Sequence, residues 1–203
     1  MKPKIIIISF TVIVGTILSF YIMGQESKGT IEFDSQVANR GETKVKLKPD
    51  YIQIGRLQAK VPKDWEKEQP SSSMRMAQFR FPGNDGDGEL VIFSGIGGSI
   101  DANLNRWYGQ FKSETENSVS ESALRSNSQI KDMDVTFSYI SGTYLKSSMG
   151  MGGAKEEMPN YALLAAIVAT SDGLYYFKGT GPKSTMDSHK VKFETFIRSI
   201  ESL

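Results

Sequence analysis

The side chains best suited to hold a ligand are polar and aromatic groups within one predicted helix. Asn103, Arg106 and Trp107 follow one another closely, and an indole beside amide and guanidinium donors can receive a sugar or an acidic ligand. Arg75 or Lys178, on predicted strands, would supply a further cation. The alternative is that Trp107 belongs to the core and Arg106 is a solvated charge.

A second candidate site is the glycine-rich corner that precedes this helix. Gly97, Gly98 and Ser99 lie at the predicted helix start, where backbone N–H groups can hold a phosphate or a carboxylate. The pattern lacks the further spaced glycine of a dinucleotide fingerprint and the Gly-Lys-Ser/Thr of a P-loop. A plain strand-to-helix turn is the alternative, because glycine is the usual residue at such turns.

Catalytic residues are not evident, and we predict none. Serines are plentiful, but His189 is the single histidine and no Gly-x-Ser-x-Gly elbow occurs. The chain has no cysteine, which excludes thiol catalysis, disulfides, zinc thiolate sites and lipid attachment at an N-terminal cysteine. A Ser/Lys pair or two acids remain open as catalysts.

No metal site or cofactor is predicted either. The stretch from Asn84 to Gly88 has an Asp-x-Asp-x-Glu spacing with Glu89, but a calcium loop spreads its ligands over about twelve residues. We expect a hairpin turn there. A chain of 203 residues with this composition has enough apolar residues for one core. Its net charge of +1 leaves no excess of basic residues for binding nucleic acid.

The N-terminal segment carries the clearest targeting signal. Ile5 to Gly24 contains no charged residue and follows Lys2 and Lys4. About twenty such residues span a bilayer as a helix, whereas a cleavable signal has a shorter apolar region and a small-x-small end. We predict a membrane anchor or signal helix over 1–24, a polar tether over 25–50 and one globular domain over 51–203. The domain would lie outside the cell membrane, or be secreted or periplasmic after cleavage.

The globular domain is predicted to combine strands with two helices. Glu89 to Ile96 reads as a buried strand, and the helix that Ser99 caps presents an apolar face from Ile100 to Phe111. A C-terminal helix, capped by Ser184 or Thr185, carries an apolar stripe ending at Ile200. His189 is expected at a half-buried edge.

Further strands are predicted on both sides of the central helix. They cover Ile54–Val61, Ser71–Pro82, Met133–Lys146 with a bend at Gly142, and the hairpin of Tyr161–Thr170 with Leu174–Thr180. Ser113–Ser128 is predicted as a connection and Ser147–Asn160 as a glycine- and methionine-rich loop. The fold class is α+β, a mostly antiparallel sheet with the central and C-terminal helices packed on it.

Two short motifs resemble a known family. Val61-Pro62-Lys63-Asp64-Trp65 and the closing Phe-x-x-Phe-Ile-x-Ser-Ile from Phe193 resemble the PsbP-like α/β/α sandwich family, named for an extrinsic photosystem subunit. The resemblance covers Tyr51–Leu203 and implies that fold, but a fold does not carry a function. Trp65–Arg75 is also similar to a group of exported bacterial proteins of unknown function.

The sequence thus favours a non-catalytic accessory or protein-binding module anchored to the membrane. A small-ligand domain, binding a sugar or an anion beside the central helix, is the alternative. An enzyme ranks third, since no catalytic set is present.

Overall fold

The computed structural model describes residues 46–113, 118–147 and 155–203. Its strands, in chain order, are β1 (Tyr51–Ile54), β2 (Leu57–Lys60), β3 (Glu66–Glu68), β4 (Ala77–Phe81), β5 (Gly88–Ser94), β6 (Phe111–Lys112), β7 (Leu124–Ile130), β8 (Met133–Ser147), β9 (Lys155–Thr170), β10 (Gly173–Pro182) and β11 (Glu201–Ser202). The helices are α1 (Ile100–Tyr108) and α2 (Lys183–Arg198).

One large sheet organises these elements. Its strand order is β3-β4-β5-β10-β9-β8-β6, with β7 also paired to β8. Every strand pair in the described residues is antiparallel. A small sheet of order β1-β2-β11 completes the fold. The predicted α+β class with a mostly antiparallel sheet and two helices is confirmed.

Each face of the large sheet carries its own apolar core. On one face, α2 supplies Phe193, Phe196 and Ile197 to a cluster that contains Trp65. On the other face, α1 supplies Leu104 and Trp107 to a second cluster. Side chains of successive strand residues point to opposite faces, so the central strands feed both clusters alternately.

The central helix is shorter than the sequence predicted. Ser99 is its N-cap, and its hydroxyl accepts a hydrogen bond from the Ala102 N–H at 3.1 Å, as expected. The prediction that Phe111 belongs to the helical face is wrong, because α1 ends at Tyr108 and Phe111 pairs with Tyr144 in the sheet. Phe111 is buried as predicted, but it lies in a strand and not in the helix.

Three further segments differ from their predictions. The connection expected over Ser113–Ser128 includes β7 from Leu124 onward, and the loop expected over Ser147–Asn160 includes the start of β9 from Lys155. The strand expected over Ile54–Val61 is the turn and second strand of a hairpin, because Gly55 adopts a φ of 61° between β1 and β2. The rest of the predicted loop, residues 148–154, lies outside the described residues.

The start of the C-terminal helix also departs from its prediction. Pro182 occupies the N-cap position, and no side chain caps α2. Ser184 and Thr185 donate instead to Asp85 Oδ2 at 2.6 Å and to the Gly86 carbonyl at 2.7 Å, which ties the helix to the β4–β5 turn.

The predicted membrane or signal helix, residues 1–24, lies outside the described residues, as does the tether up to residue 45. In the ranges that the structure describes, neither helix is long and apolar enough to cross a membrane.

Candidate functional site

A cleft opens on the large sheet where α1 ends. Because α1 has nine residues, its last turn and Gln110 form one wall, and the sheet beyond them remains uncovered. The cleft has a volume of about 520 Å³, within the range of roughly 300–1,000 Å³ of small-molecule pockets.

Strand alternation determines which side chains form its floor. Lys178 and Thr180 of β10 line the cleft. Phe177, which precedes Lys178, points to the other face of the sheet and packs in the α2 cluster. On the neighbouring strand β5, Val91 pairs with Lys178 and Glu89 pairs with Thr180, so these residues share the cleft.

Lys178 is the most distinctive group in the cleft. Its Nζ donates a hydrogen bond to Gln110 Oε1 at 2.6 Å, and it forms no ion pair with any carboxylate of the described residues. Burial lowers the pKa of Lys178 to about 8; Glu89 raises this pKa and Arg75 lowers it further. The floor of the cleft therefore holds an unpaired ammonium group below about pH 8.

Arg75 brings a second cation to the same cleft. Its Nη1 donates to Gln78 Oε1 at 2.7 Å and to Glu89 Oε1 at 2.8 Å. Its other guanidinium nitrogens have no partner in the described part of the chain, so one side of the planar fork remains available.

Two tyrosines line the cleft from β8 and β9. The rings of Tyr144 and Tyr161 have centroids 6.0 Å apart and an interplanar angle of 12°. Both side chains are partly exposed. Burial raises the pKa of Tyr144, which Glu89 raises further, and burial also raises the pKa of Tyr161, so both hydroxyls are protonated donors at neutral pH. Neither hydroxyl has a partner among the described residues.

Two carboxylates, Asp87 and Glu89, also line the cleft, and each is bound to an arginine. Glu89 pairs with Arg75, while Asp87 accepts from Arg80 Nη1 at 2.8 Å. The hydrogen bond from Arg80 and one from the Gly83 N–H lower the pKa of Asp87. With both acids compensated, the Lys178 ammonium determines the sign of the charge that the cleft favours.

The structure divides the predicted ligand-binding residues into two groups. Arg75, Trp107 and Lys178 line the cleft together. Trp107 is 4% exposed, so it is a core side chain that contributes little surface to the cleft. The remaining predicted residues, which do not line the cleft, are Gly97, Gly98, Ser99, Asn103 and Arg106.

Asn103 acts as a structural clamp at the helix start. It is fully buried, and its Nδ2 donates to the carbonyls of Gly97 and Ser99 at 3.3 and 3.0 Å. Arg106 is exposed and donates to Asn103 Oδ1 at 3.2 Å. These residues hold the glycine corner together.

The helix start is already occupied by groups of the chain itself. Ser99 Oγ accepts the Ala102 N–H, and the Asp101 carboxylate lies in the first turn, paired with Arg125 at 2.8 Å. An incoming anion would meet Asp101, so the cleft is the better candidate site.

Sequence reasoning missed Gln110, Tyr144 and Tyr161. The sequence does mark Lys178, since a lysine interrupts the apolar run Leu174–Phe177 of a strand buried on both sides. Nothing local marks the tyrosines, because long-range pairing of β8 with β9 brings them together.

His189 is not a half-buried edge residue as predicted. It is 3% exposed; its Nδ1 accepts a hydrogen bond from Trp65 Nε1 at 3.0 Å, and its Nε2 lies 3.0 Å from the Pro82 carbonyl. Both ring nitrogens therefore hold the α2 core together. Among the described residues, no group of three or more acidic or histidine side chains could hold a metal ion.

Comparison with known proteins finds a likeness among solved structures. No family model matches the chain, and no curated protein matches it. Among solved structures, the solution structure of cyanobacterial PsbP from Synechocystis sp. PCC 6803 matches with a TM-score of 0.44 and 13% identity. The match covers 73% of this chain and 87% of that chain. The PsbP-like resemblance indicated by the motifs is thus confirmed as a weak likeness of fold. This likeness says nothing about the cleft.

Proposed function

We propose that this protein is a non-catalytic binding domain whose cleft receives a small anionic ligand, and that its N-terminal segment holds it on the extracytoplasmic side of the cell membrane. The sequence favoured a protein-binding module and left small-ligand binding as the alternative. Because of the cleft, we now favour small-ligand binding. The described residues that line the cleft include no histidine and no serine, which supports binding rather than acyl-transfer chemistry.

The observation that carries the proposal is the unpaired ammonium group of Lys178. A cation removed from water without a counter-charge costs free energy, and a bound anion would recover part of this cost through a charge-assisted hydrogen bond. The available side of Arg75 and the hydroxyls of Tyr144 and Tyr161 supply further donors at the same cleft.

Titration of the full-length chain in detergent with acetate and inorganic phosphate, followed by calorimetry, tests the cleft. We expect acetate to bind and Lys178→Met to weaken its binding by about tenfold or more, equivalent to at least about 1.4 kcal/mol. Lys67→Met, at an exposed lysine of β3 outside the cleft, is the matched control and should bind like the unmodified chain. The proposal is wrong if no anion binds, or if both variants bind equally well.

The membrane part of the proposal rests on the uncharged segment from Ile5 to Gly24 and on the lysines before it. We expect the full-length chain to remain in membranes after carbonate extraction and to be digested by protease added outside intact cells or spheroplasts. A chain that stays protected from external protease would contradict this topology.

A protein-binding role is the second candidate, because β7 is an edge strand. In the described residues β7 pairs with β8 alone, so the outer edge of Leu124–Ile130 has no strand partner. Leu124 is 63% exposed there. Such an edge can accept a strand from another protein. Crosslinking from membranes, with and without Ser126→Pro at this edge, tests it; recovery of the same proteins with both chains would argue against it.

A further inference from the structure

The chemistry of the cleft narrows the class of anion further, on the premise that the proposed function is correct. Two cationic donors face the cleft. Lys178 donates from a single nitrogen, whereas the unpaired side of the planar Arg75 guanidinium group can donate to both oxygens of a carboxylate. Asp87 and Glu89 also face the cleft, but each is paired with an arginine, so Lys178 supplies the one positive charge among these groups that has no counter-charge. A monoanion therefore fits better than a phosphate dianion.

The tyrosine pair adds a shape requirement. The rings of Tyr144 and Tyr161 stack on each other with an interplanar angle of 12°, and Phe111 packs against the Tyr144 ring. Both tyrosines remain partly exposed, so the ring surface that this stack leaves open offers the cleft a flat apolar face. Trp107 cannot serve in this way because only 4% of it is exposed. Flat rings stack on or pack edge-to-face against such a surface, which adds to the gain from burying their area.

We infer that the ligand is a small monocarboxylate with a flat ring. The carboxylate accepts hydrogen bonds from Lys178 Nζ and from the available guanidinium nitrogens of Arg75, while the ring packs on the Tyr144–Tyr161 pair. The hydroxyls of Tyr144 and Tyr161, which have no partners in the described residues, remain available to a polar substituent on that ring.

Neutral sugars share part of this chemistry, since they also pack on aromatic rings. A neutral sugar, however, can accept hydrogen bonds from the Lys178 ammonium group but brings no negative charge to balance it. The unpaired charge of Lys178 therefore favours the carboxylate over the sugar.

The test compares four probes on the full-length chain in detergent: benzoate, cyclohexanecarboxylate, acetate and glucose. We expect benzoate to bind about fivefold to tenfold more tightly than acetate, which corresponds to roughly 1–1.4 kcal/mol. It should also bind more tightly than cyclohexanecarboxylate, whose ring is not flat. Saturation-transfer NMR on the unmodified chain should place the benzoate ring protons against the protein.

Variants then locate the ring. Tyr144→Leu should remove the preference for benzoate over acetate while acetate itself still binds, whereas Tyr144→Phe, which keeps the ring, should retain it. Tyr161→Leu is a second variant for the case in which Tyr144→Leu does not fold. Lys178→Met should weaken benzoate and acetate alike.

The outcomes separate this inference from the proposed function. If no carboxylate binds in a Lys178-dependent way, the proposed function fails and this inference fails with it. If benzoate and acetate bind equally well and both depend on Lys178, only the flat-ring inference is overturned. Tighter binding of glucose than of benzoate, or a benzoate preference that neither leucine variant changes, also overturns it.

Discussion

Lys178 is a residue whose contribution to folding should depend on pH. Its pKa is about 8 in the folded chain against an ordinary value of 10.5, so between these values the unfolded chain binds more protons and stability rises with pH. Below about pH 8 the full cost of burying the ammonium applies. We expect Lys178→Met to raise the free energy of unfolding by up to roughly 3 kcal/mol near pH 7.

This gain should shrink as the pH rises from about 8 towards 10.5, because the lysine is then neutral in the folded chain while it is still protonated in the unfolded chain, and the burial cost disappears. Denaturant unfolding at two pH values measures the difference. Lys67→Met should show no such pH-dependent gain, and a gain of the same size at both pH values would contradict the assignment.

His189 should matter for stability and not for ligand binding. In His189→Leu the Trp65 N–H and the Pro82 carbonyl lose their partner in a buried environment, which costs about 1–3 kcal/mol. His189→Gln keeps a donor and an acceptor and should cost less. Thermal unfolding ranks the three chains, and acetate titration should give equal affinities for all of them; a loss of binding in His189→Gln would make His189 part of the site.

At the residue scale, sequence alone identified the charges of the candidate site but not its rings. Lys178 stands out because a charged side chain is unexpected within a strand of a buried sheet. Arg75 was expected within a strand as well, but it precedes β4, which begins at Ala77. Tyr144 and Tyr161 look like ordinary strand residues. Their closeness depends on the register between β8 and β9, which shifts between Gly142 and Tyr144. No local pattern encodes such a register.

At the element scale, the close approach of β6 to β8 depends on a glycine, which lies at the register shift of β8. A Cβ at Gly142 would lie 2.4 Å from the backbone carbonyl oxygen of Lys112 in β6, so the two strands would have to separate. We expect Gly142→Ala to destabilise the chain by about 1–3 kcal/mol, as overpacked sites do.

Gly97→Ala is the matched control, because no atom lies within 4 Å of its added Cβ. Its stability should stay within about 0.5 kcal/mol of the unmodified chain. Gly97→Ala also tests the glycine corner, since its acetate affinity should be unchanged if the cleft is the site. Denaturant unfolding of both variants decides the first point, and equal stabilities would contradict the packing argument.

The elements that sequence predicted well are those with strong local signals. The Asp172-Gly173 turn between apolar runs predicted the β9–β10 hairpin, and the bend at Gly142 was expected. β7 was missed because its sequence, LRSNSQI, is polar and mostly exposed, so it has no apolar alternation to read. β8 recruits it through backbone hydrogen bonds, which almost any sequence can make.

At the scale of the whole molecule, the two cores share one sheet. The side chains of β10 alternate between them, with Phe177 in the α2 cluster and Tyr176 in the α1 cluster. Neither helix can lose its packing without exposing one face of the same strands. The described residues should therefore unfold as one cooperative unit rather than layer by layer.

The two tryptophans of the chain allow this to be measured, because each core cluster contains one of them. Trp65 lies in the α2 cluster and Trp107 in the α1 cluster. Trp107→Phe leaves a fluorescence probe on the first face, and Trp65→Phe leaves one on the second. If the shared sheet makes the two cores unfold together, fluorescence and far-UV circular dichroism should give the same denaturant midpoint within each variant. Leu104→Ala, added to the chain that keeps Trp65, should lower the free energy of unfolding by about 2–5 kcal/mol. The denaturant midpoint reported by Trp65 should fall accordingly, although Leu104 lies on the opposite face. A Trp65 transition that stays in place while circular dichroism shows an earlier step would mean that the α1 layer, and the cleft beside it, opens independently of the rest.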